Sequence, residues 1–293
     1  MKRVSQSGAR LLGLTTSQPP VEIIFGGDLM MDRYIRQRAN QLGYDYILAD
    51  LKPTLTQADL VVVNLEGPVT DYASQSIGSQ IGSSDNYIFT MAPEVAKVLF
   101  DHNMKLVNIG NNHMLNFGVN GLDQTKQHLT EQGVKYFGAT GQGDDQTGVV
   151  WEINHLKLGF VNYNQFITGG LAVALAEIDK LKPSTDLLIV YTHWGNEYQS
   201  AAGSASVATA HQLIDGGADL VIGSHPHVVQ PSEEYRGKMI YYSLGNLVFD
   251  QYFSAQTKQG LLVKVLIEPD TQKLSFTEIP IKMDLSGQTT LIK

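Results

Sequence analysis

The chain has 293 residues, of which 43% are hydrophobic and 17% charged, the composition of an ordinary globular protein of one or two domains. Its formal net charge of −8 leaves no basic field to neutralise phosphates, which excludes a general nucleic-acid binder. It contains no cysteine, so disulfides and thiolate chemistry are excluded. No stretch approaches about 18 consecutive apolar residues, and no membrane span is therefore predicted.

The first 20 residues are predicted to form a flexible lead. Residues 1–10 are basic, and the apolar run over residues 11–14 is too short for the core of a signal peptide. The lead ends at Pro19-Pro20. It also fits the remnant of a removed anchor, and the sequence leaves both interpretations open. We predict a single domain over residues 21–293.

Apolar strand-like runs alternate with helical patterns along most of the chain. The predicted strands of this part are residues 21–25, 60–63, 106–109, 149–153, 158–163, 187–191 and 218–224. The predicted helices are residues 32–41, 93–100, 121–132, 171–181 and 205–214. A segment rich in Ser, Gln and Gly over residues 70–88 is predicted to be a loop that covers a site.

The last part of the chain changes character, because only strands are predicted after residue 224. These strands are residues 239–242, 247–249, 261–267 and 274–281, and they are expected to form a meander. Alternating strands and helices followed by strands alone indicate a sheet sandwich with helices outside.

Polar residues follow several of the predicted strands at the point where each strand ends. His225-Pro226-His227 comes directly after residues 218–224, and Pro226 stiffens the turn so that two imidazoles can face a common centre. Ligands of open α/β sheets bind beyond the carboxyl ends of strands, so we predict one assembled polar site. The other polar residues placed just after apolar runs are Asp28, Glu66, Asn112, His113 and His193.

Carboxylates, an amide oxygen and several imidazoles form a ligand set that suits one or two divalent transition metal ions, with Mn, Zn, Fe, Ni and Co all compatible. An all-oxygen Mg or Ca site would leave the histidines unexplained. Singly, Asp28, Glu66 and Asn112 are also ordinary turn or cap residues, and a lone histidine is more often simply hydrogen-bonded. The joint pattern favours the metal site. The remaining histidines, predicted to be structural or on the surface, are His102, His128, His155 and His211.

Six motifs occur in order over about residues 21–282. They are Gly26-Gly-Asp-Leu-Met-Met-Asp-Arg33, Asn64-Leu-Glu-Gly-Pro68, Asn111-Asn-His113, His193-Trp-Gly-Asn-Glu-Tyr198, Gly223-Ser-His-Pro-His227 and Tyr242-Ser-Leu-Gly-Asn246. This set resembles the signature of the CapA-type proteins associated with capsule and poly-γ-glutamate synthesis, which belong to the calcineurin-like metallophosphoesterase superfamily. The resemblance implies an α/β fold built as a four-layer α/β/β/α sandwich of two mixed sheets with outer helices.

The resemblance also implies roles for individual residues. The metal ligands that it implies are Asp28, Glu66, Asn112, His193, His225 and His227, with Glu66 in place of the usual bridging aspartate. His113 resembles the histidine that protonates the leaving group, and Arg33 is suited to clamp a phosphate or carboxylate. The residues expected to contact substrate or support the ligands are Asn64, Asn111, Glu197 and Asn246.

Two positions depart from the family pattern. The first motif is usually Asp-x-His, and Met30 stands where the histidine would be, so one metal position loses a ligand and is expected to bind more weakly. Asn116 stands where the family usually has aspartate, so no carboxylate is expected there to orient His113.

We predict a metal-dependent hydrolase of the phosphoester type, which uses metal-bound hydroxide and a histidine general acid. The alternative is a non-catalytic accessory or polymer-binding metalloprotein of an anionic capsule assembly. Both predict an anionic small molecule or polymer as the ligand, no nucleic acid, and a place in a capsule-synthesis complex. The resemblance implies a location in the cell envelope or outside the cell, and a cytoplasmic location applies if no anchor has been removed.

Overall fold

A computed structural model describes residues 19–142 and 145–292, and in these residues two β-sheets are packed face to face. Of the predicted flexible lead over residues 1–20, only Pro19 and Pro20 lie within the described residues. The first sheet contains, in spatial order, β14 (Thr289–Leu291), β13 (Lys273–Met283), β12 (Gln259–Glu268), β1 (Val21–Leu29), β2 (Leu60–Leu65), β3 (Leu106–Asn108) and β4 (Lys135–Phe137), and β11 (Asn246–Val248) also pairs with β1.

The second sheet contains, in spatial order, β5 (Gly148–Ile153), β6 (Leu156–Asn164), β7 (Leu187–His193), β8 (Leu220–Ser224), β10 (Lys238–Tyr241) and β9 (Ser232–Tyr235). Both sheets are mixed. Strands β1 to β4 run parallel, as do β6, β7, β8 and β10, and β11 is parallel to β1. The antiparallel strands are β5, β9, β12, β13 and β14.

Helices cover the outer face of each sheet. The first sheet is covered by α1 (Arg33–Leu42), α2 (Lys52–Leu55), α3 (Glu94–Asp101) and α4 (Gly118–Glu131), and the second by α5 (Gly170–Leu181) and α6 (Ser204–Asp215). Short 3-10 segments occur at Tyr44–Leu48, Ser84–Tyr87 and Lys182–Ser184. The predicted four-layer α/β/β/α sandwich is therefore confirmed.

The strands are continuous apolar runs because both of their faces are buried. In β1, Ile23 and Phe25 face the second sheet, whereas Ile24 packs under the helices of the first sheet. In β7, Ile189 faces the first sheet and Val190 packs under α5 and α6. Successive side chains of a strand point to opposite faces, so each central strand contributes to two cores at once.

A β-bulge near the end of β1 directly precedes Asp28. The pairing register between β1 and β2 shifts between Phe25 and Asp28, where the sequence is Gly26-Gly27. A Cβ atom on Gly27 would lie 1.9 Å from the backbone oxygen of Gly245, so only glycine fits at this crossing. The glycine pair therefore allows the strand to bend before Asp28, which pairs again with Asn64 of β2 and with Asn246 of β11.

Most predicted elements are found, with shifts of a few residues at their ends. The predicted meander after residue 224 is wrong in its first half, because β10 joins the second sheet in parallel with β8 and β11 joins the first in parallel with β1. Strands β4, β9 and β14 were not predicted, since three or four residues carry too little pattern. No helix among the described residues is both long and apolar enough to cross a membrane.

Candidate metal centre

The carboxyl ends of the parallel strands of both sheets meet at one edge of the sandwich, and the predicted site residues lie there. Asp28 lies in β1, and His193 is the last residue of β7. Glu66 follows β2, while the turn with His225 and His227 follows β8. The site therefore draws its side chains from both sheets.

Glu66 lies at the centre of this cluster. Its carboxylate is buried, and neither oxygen has a hydrogen-bond partner. Its ligand atoms group with those of His225 and His227, and in a second group with those of Asp28 and His193, within 4.8 Å of one another in each group. Nδ1 of His225 is also buried without a partner. Because buried, unpaired polar atoms are costly, these donor atoms fit a divalent metal site in which Glu66 is shared.

Ser224 orients the ring of His193. Its hydroxyl donates to the Thr192 carbonyl at 2.7 Å, and its oxygen lies 3.1 Å from His193 Nδ1, which the amide nitrogen of Asn64 also faces at 3.2 Å. The other ring nitrogen, Nε2, lies 2.8 Å from Asn112 Oδ1. Atoms at this separation suit neighbouring ligands of one ion, with the serine as a hydrogen-bonding partner of the histidine ring.

Asn246 has the corresponding position beside His227. Its amide nitrogen donates to the Thr257 carbonyl at 3.0 Å, and its Oδ1 lies 2.9 Å from His227 Nδ1. Oδ2 of Asp28 lies 3.4 Å from the same ring nitrogen. With Nδ1–H facing these two acceptors, Nε2 is directed at Glu66, 3.5 Å from Oε1.

Burial and mutual charge shift every titratable group of the cluster. Burial raises the pKa of Glu66 well above its usual value. Burial also acts to raise the pKa of Asp28, but the hydrogen bond and charge of His227 hold it well below its usual value. Burial acts to lower the pKa of His227, which Glu66 and Asp28 nevertheless raise to about 9. Burial lowers the pKa of His225 to about 4 and that of His193 well below its usual value, so both rings are neutral near pH 7, the form that binds metals.

The histidine turn has a strained backbone. His225 has φ of 96° and His227 has φ of 57°, both in the left-handed region that residues with a side chain rarely adopt. The backbone N–H of His225 donates to Asp28 Oδ2 at 3.0 Å, which helps to hold this conformation. Strain of this kind concentrates at functional sites, where the surrounding structure enforces a useful side-chain direction.

Asn64, in β2, links Asp28 of β1 to Asn108 of β3 next to the cluster. Its Nδ2 donates to Asp28 Oδ1 at 2.8 Å and lies 3.2 Å from His193 Nδ1. Its Oδ1 accepts from the amide nitrogens of Asn108 at 2.8 Å and Asn111 at 3.2 Å. Asn108 was not predicted as a site residue, although an asparagine inside the apolar run 106–109 was the signal that could have indicated it.

His113 lies at the side of the cluster, on the loop after β3. Its ring packs on Phe89 with 4.3 Å between centroids, and its Nε2 lies 3.8 Å from Glu66 Oε1. Its Nδ1 lies 3.2 Å from the side-chain nitrogen of Asn116. Burial and the positive charge of His227 lower the pKa of His113 to about 3.

The guanidinium of Arg33 is already occupied. It forms an ion pair with Asp250 and donates to the side-chain oxygen of Asn86 at 3.2 Å. It also lies over the rings of Phe89 and Phe249, at 5.0 and 5.4 Å from their centroids. A substrate anion clamped by Arg33 would therefore have to compete with Asp250.

Met30 is buried in an apolar group with Phe89, Phe249 and Met283. The ring of Phe249 in turn packs against His227, with 4.8 Å between centroids. The position that carries a histidine in the usual first motif therefore presents a thioether inside an apolar wall of the site.

A cleft of about 530 Å³ opens beside the cluster, and Tyr198 lies between the two, its ring 6.1 Å from that of His227. Residues 76–87 of the predicted covering loop form one wall. This loop is anchored by Asp32, whose Oδ2 accepts hydrogen bonds from the Ser74 and Ser76 hydroxyls and from the Thr90 N–H. The residues lining the cleft are Arg33, Tyr34, Gln37, Ser76, Gly78, Ser79, Ile81, Asn86, Tyr87, Tyr198, Asp250, Gln251, Tyr252 and Phe253.

Some predicted residues lie outside the cluster. Glu197 is partly exposed, and its charge contributes to the raised pKa of His227. The neighbouring Trp194 of the fourth motif is buried and donates from Nε1 to the Tyr242 carbonyl at 2.8 Å, which is a packing role. Among the described residues, the ligand groups that contain Glu66 do not include His102, His128, His155 or His211.

The sequence matches the family model described as "Bacterial capsule synthesis protein PGA_cap" over residues 22–251. The chain belongs to this PGA_cap family. Its relatives include "Capsule biosynthesis protein CapA" of Bacillus anthracis, which is 31% identical over 81% of this chain and 62% of that protein. "PGA biosynthesis protein CapA" of Bacillus subtilis is 29% identical over 95% of this chain and 78% of that protein. The chain thus spans less than two thirds of the length of the first of these PGA_cap relatives.

A solved structure shares the fold of this PGA_cap chain. A putative 5'-nucleotidase from Staphylococcus aureus superposes with a TM-score of 0.52 and 13% identity, over 92% of this chain and 54% of the other. The family model confirms the predicted CapA-type family, and the solved structure confirms the predicted fold. The buried carboxylates and imidazoles fit the binding of divalent metal ions.

Proposed function

We propose that this PGA_cap chain is a metal-dependent hydrolase of phosphoesters that acts in the synthesis of a capsule or of poly-γ-glutamate. The observation that carries the proposal is Glu66, a buried carboxylate with two unpartnered oxygens, shared between two groups of ligand atoms. Cations on its oxygens would explain this state, since buried polar atoms without hydrogen-bond partners are otherwise unfavourable.

The two groups of donors suggest two positions for divalent ions. Glu66, His225 and His227 would hold one ion, with Asn246 beside the ring of His227. Asp28, Glu66 and His193 would hold the other, with Asn112 Oδ1 2.8 Å from His193 Nε2. Met30 stands where the first motif usually supplies a further ligand beside Asp28, and we expect the position that includes Asp28 to bind its ion more weakly. Imidazole with carboxylate favours Mn, Zn, Fe, Ni or Co over Mg or Ca.

Such ions, when bound, acidify a water molecule and stabilise negative charge on a phosphoryl oxygen. The protein contributes the remaining functions. Nε2 of His113 faces Glu66 from the side and would act on the oxygen of the leaving group. The cleft beside Tyr198 would hold the rest of an anionic small molecule or polymer substrate.

Turnover by protein of known metal content tests this proposal. The protein is purified without chelator, loaded with Mn or Zn, and assayed with 4-nitrophenyl phosphate and bis(4-nitrophenyl) phosphate. We expect hydrolysis that disappears with chelator and falls about 10²-fold or more in His113→Gln. His211→Gln is the control, because His211 stacks on Tyr235 far from the cluster. Metal-loaded protein without turnover of any phosphoester would contradict the proposal.

The second candidate function is that of a non-catalytic metalloprotein that binds an anionic polymer or partners of a capsule-assembly complex. Met30 favours it, because an apolar side chain at a ligand position weakens one of the two ion sites. This candidate predicts tight metal binding and polymer binding without turnover. Titration of poly-γ-glutamate into metal-loaded and chelator-treated protein, followed by calorimetry, distinguishes it from the hydrolase.

A further inference from the structure

Asn116 bridges His113 and the covering loop. Its Nδ2 lies 2.7 Å from the backbone oxygen of Tyr87 and 3.2 Å from Nδ1 of His113. His113 is itself held in place by its backbone N–H, which donates to Asn111 Oδ1 at 3.1 Å, and by its packing on Phe89. The contact between the asparagine and the histidine ring is therefore well defined.

The Tyr87 carbonyl fixes which atom of the amide faces the ring. A carbonyl oxygen only accepts hydrogen bonds, so the Asn116 atom facing it is the NH₂ group, because the reverse orientation would bring two oxygens together. The same NH₂ group offers its second hydrogen to His113 Nδ1. That ring nitrogen must then be the acceptor, and in a neutral imidazole the proton is on the other nitrogen.

We infer that Asn116 is a positioning residue that holds His113 as the Nε2–H tautomer, with its single ring proton directed at the metal cluster. Nε2 is the nitrogen 3.8 Å from Glu66 Oε1, so the N–H points to the side where a substrate would lie. A proton on Nδ1 would face the N–H of Asn116 at 3.2 Å, with two donors in opposition.

This tautomer changes what His113 can do for a leaving group. Hydrolysis of a phosphoester breaks the bond from phosphorus to the leaving oxygen, whose electron pair stays on that oxygen, while water supplies the new oxygen on phosphorus. A neutral imidazole that gave up its Nε2 proton would become an imidazolate. It therefore donates a hydrogen bond to the leaving oxygen and keeps its proton, as neutral histidines do in other active sites. The leaving group then takes its proton from solvent.

The substrate class follows from this chemistry. A leaving group whose conjugate acid is strong needs only a hydrogen bond to depart. Examples are the phosphate released from a phosphoanhydride and the oxygen of an activated aryl ester. A simple alcohol leaves poorly without a full proton. The inference about leaving groups rests on the proposed hydrolase function, whereas the tautomer does not depend on it. We therefore infer that this chain prefers phosphoanhydrides and those phosphoesters that have acidic leaving groups.

Nitrogen NMR of ring-labelled histidine tests the tautomer without any need for turnover. Zinc-loaded protein labelled with ¹⁵N in its histidine rings is compared with His113→Gln to assign the signals. We expect His113 Nδ1 to show the shift of an unprotonated nitrogen and Nε2 that of a protonated one. In Asn116→Asp, whose carboxylate offers an acceptor to Nδ1, both ring nitrogens are expected to carry a proton. A protonated Nδ1 in the unsubstituted protein would overturn the inference.

A leaving-group series tests the substrate class. Zinc-loaded protein is assayed with 4-nitrophenyl, 4-chlorophenyl and phenyl phosphate, with glycerol phosphate, and with pyrophosphate. We expect kcat/KM to fall steeply as the leaving group becomes less acidic. Asn116→Asp should reduce the ratio of kcat/KM for 4-nitrophenyl phosphate to kcat/KM for phenyl phosphate by about tenfold or more. Asn116→Ala, which provides no acceptor, is the control and should not reduce it. Equal rates for glycerol phosphate and pyrophosphate would overturn the inference about the substrate class. Absence of all turnover would contradict the proposed hydrolase function, and the tautomer of His113 would then be decided by the NMR result.

Discussion

The backbone N–H of His225 donates to Asp28 Oδ2 across 3.0 Å, and this bond joins the end of β8 in one sheet to the end of β1 in the other. Asp28 therefore links the two sheets by a hydrogen bond and is also a candidate metal ligand. The same carboxylate accepts from Asn64 at 2.8 Å, so both of its oxygens are engaged before any ion binds. Replacement of Asp28 should consequently affect the geometry of His225 as well as the metal content.

The first prediction concerns metal content. Protein purified without chelator should contain about one or two equivalents of a transition metal by mass spectrometry, and Asp28→Ala and His225→Ala should lose most of it. Bound metal should also raise the free energy of unfolding by about 2.7 kcal/mol at a free concentration 100 times Kd. His211→Ala should retain full metal content, and equal loss in this control would show that the effect is not specific to the cluster.

The second prediction concerns Met30. Met30→His should tighten the weaker ion position by about tenfold or more, because it adds an imidazole two residues from Asp28, as measured by competition with a chelating dye. In chelator it should lower the free energy of unfolding by about 2 kcal/mol, since a polar ring replaces a thioether in the apolar group with Phe89 and Phe249. Met30→Leu, which stays apolar, should leave metal affinity unchanged and cost less than about 1.5 kcal/mol. Unchanged affinity in Met30→His would place this side chain outside the site.

The third prediction separates the ligand role of His225 from its backbone strain. His225→Ala and His225→Gly both remove the imidazole, but only glycine readily adopts φ of 96°. In chelator, His225→Gly should be more stable than His225→Ala by about 1 kcal/mol in urea unfolding. Equal stabilities would mean that the turn relaxes and stores no strain.

The fourth prediction concerns pH and stability away from the site. Burial acts to raise the pKa of Asp219, but hydrogen bonds from Lys182 and Lys238, at 2.6 and 2.7 Å, and from the Leu188 N–H hold it below its usual value of 3.8. A carboxyl with a lowered pKa in the folded state stabilises the fold above the unfolded pKa, and that contribution is lost as pH falls through the folded pKa.

Asp219→Asn should therefore lower the free energy of unfolding by about 1–3 kcal/mol at pH 7. The difference from the unsubstituted protein should shrink as the pH of the urea titrations falls below about 4. Asp270→Asn, at an exposed turn, is the matched control and should have no effect at either pH. A difference that stays constant down to pH 3 would exclude the charge as its source.

The strand ends were predictable because apolar runs buried on both faces leave their polar residues just beyond them. Asp28, Glu66 and His193 were found in this way, and they lie together in the structure. Their partners could not be found by the same rule. Asn108 and Ser224 lie inside apolar runs, and their importance comes from hydrogen bonds to residues of other strands.

Arg33 illustrates a second limit of sequence reasoning. Its place in the first motif suggested a free cation for an anionic substrate, whereas its guanidinium pairs with Asp250, 217 residues further along the chain. The sequence also could not predict which sheet β10 and β11 join. A short apolar run shows that a strand is buried, but the sheet that accepts it depends on edges formed by distant parts of the chain.

The bond between Asp28 and His225 spans 197 residues of sequence. Ligand atoms that are this far apart in the chain cannot form a site within any local segment, so the affinity for metal appears only when the two sheets dock. During synthesis on the ribosome, residues 28 and 66 would emerge long before residues 225 and 227. The nascent chain is therefore unable to complete either ion position until His193, in one case, or the turn with His225 and His227, in the other, has been translated.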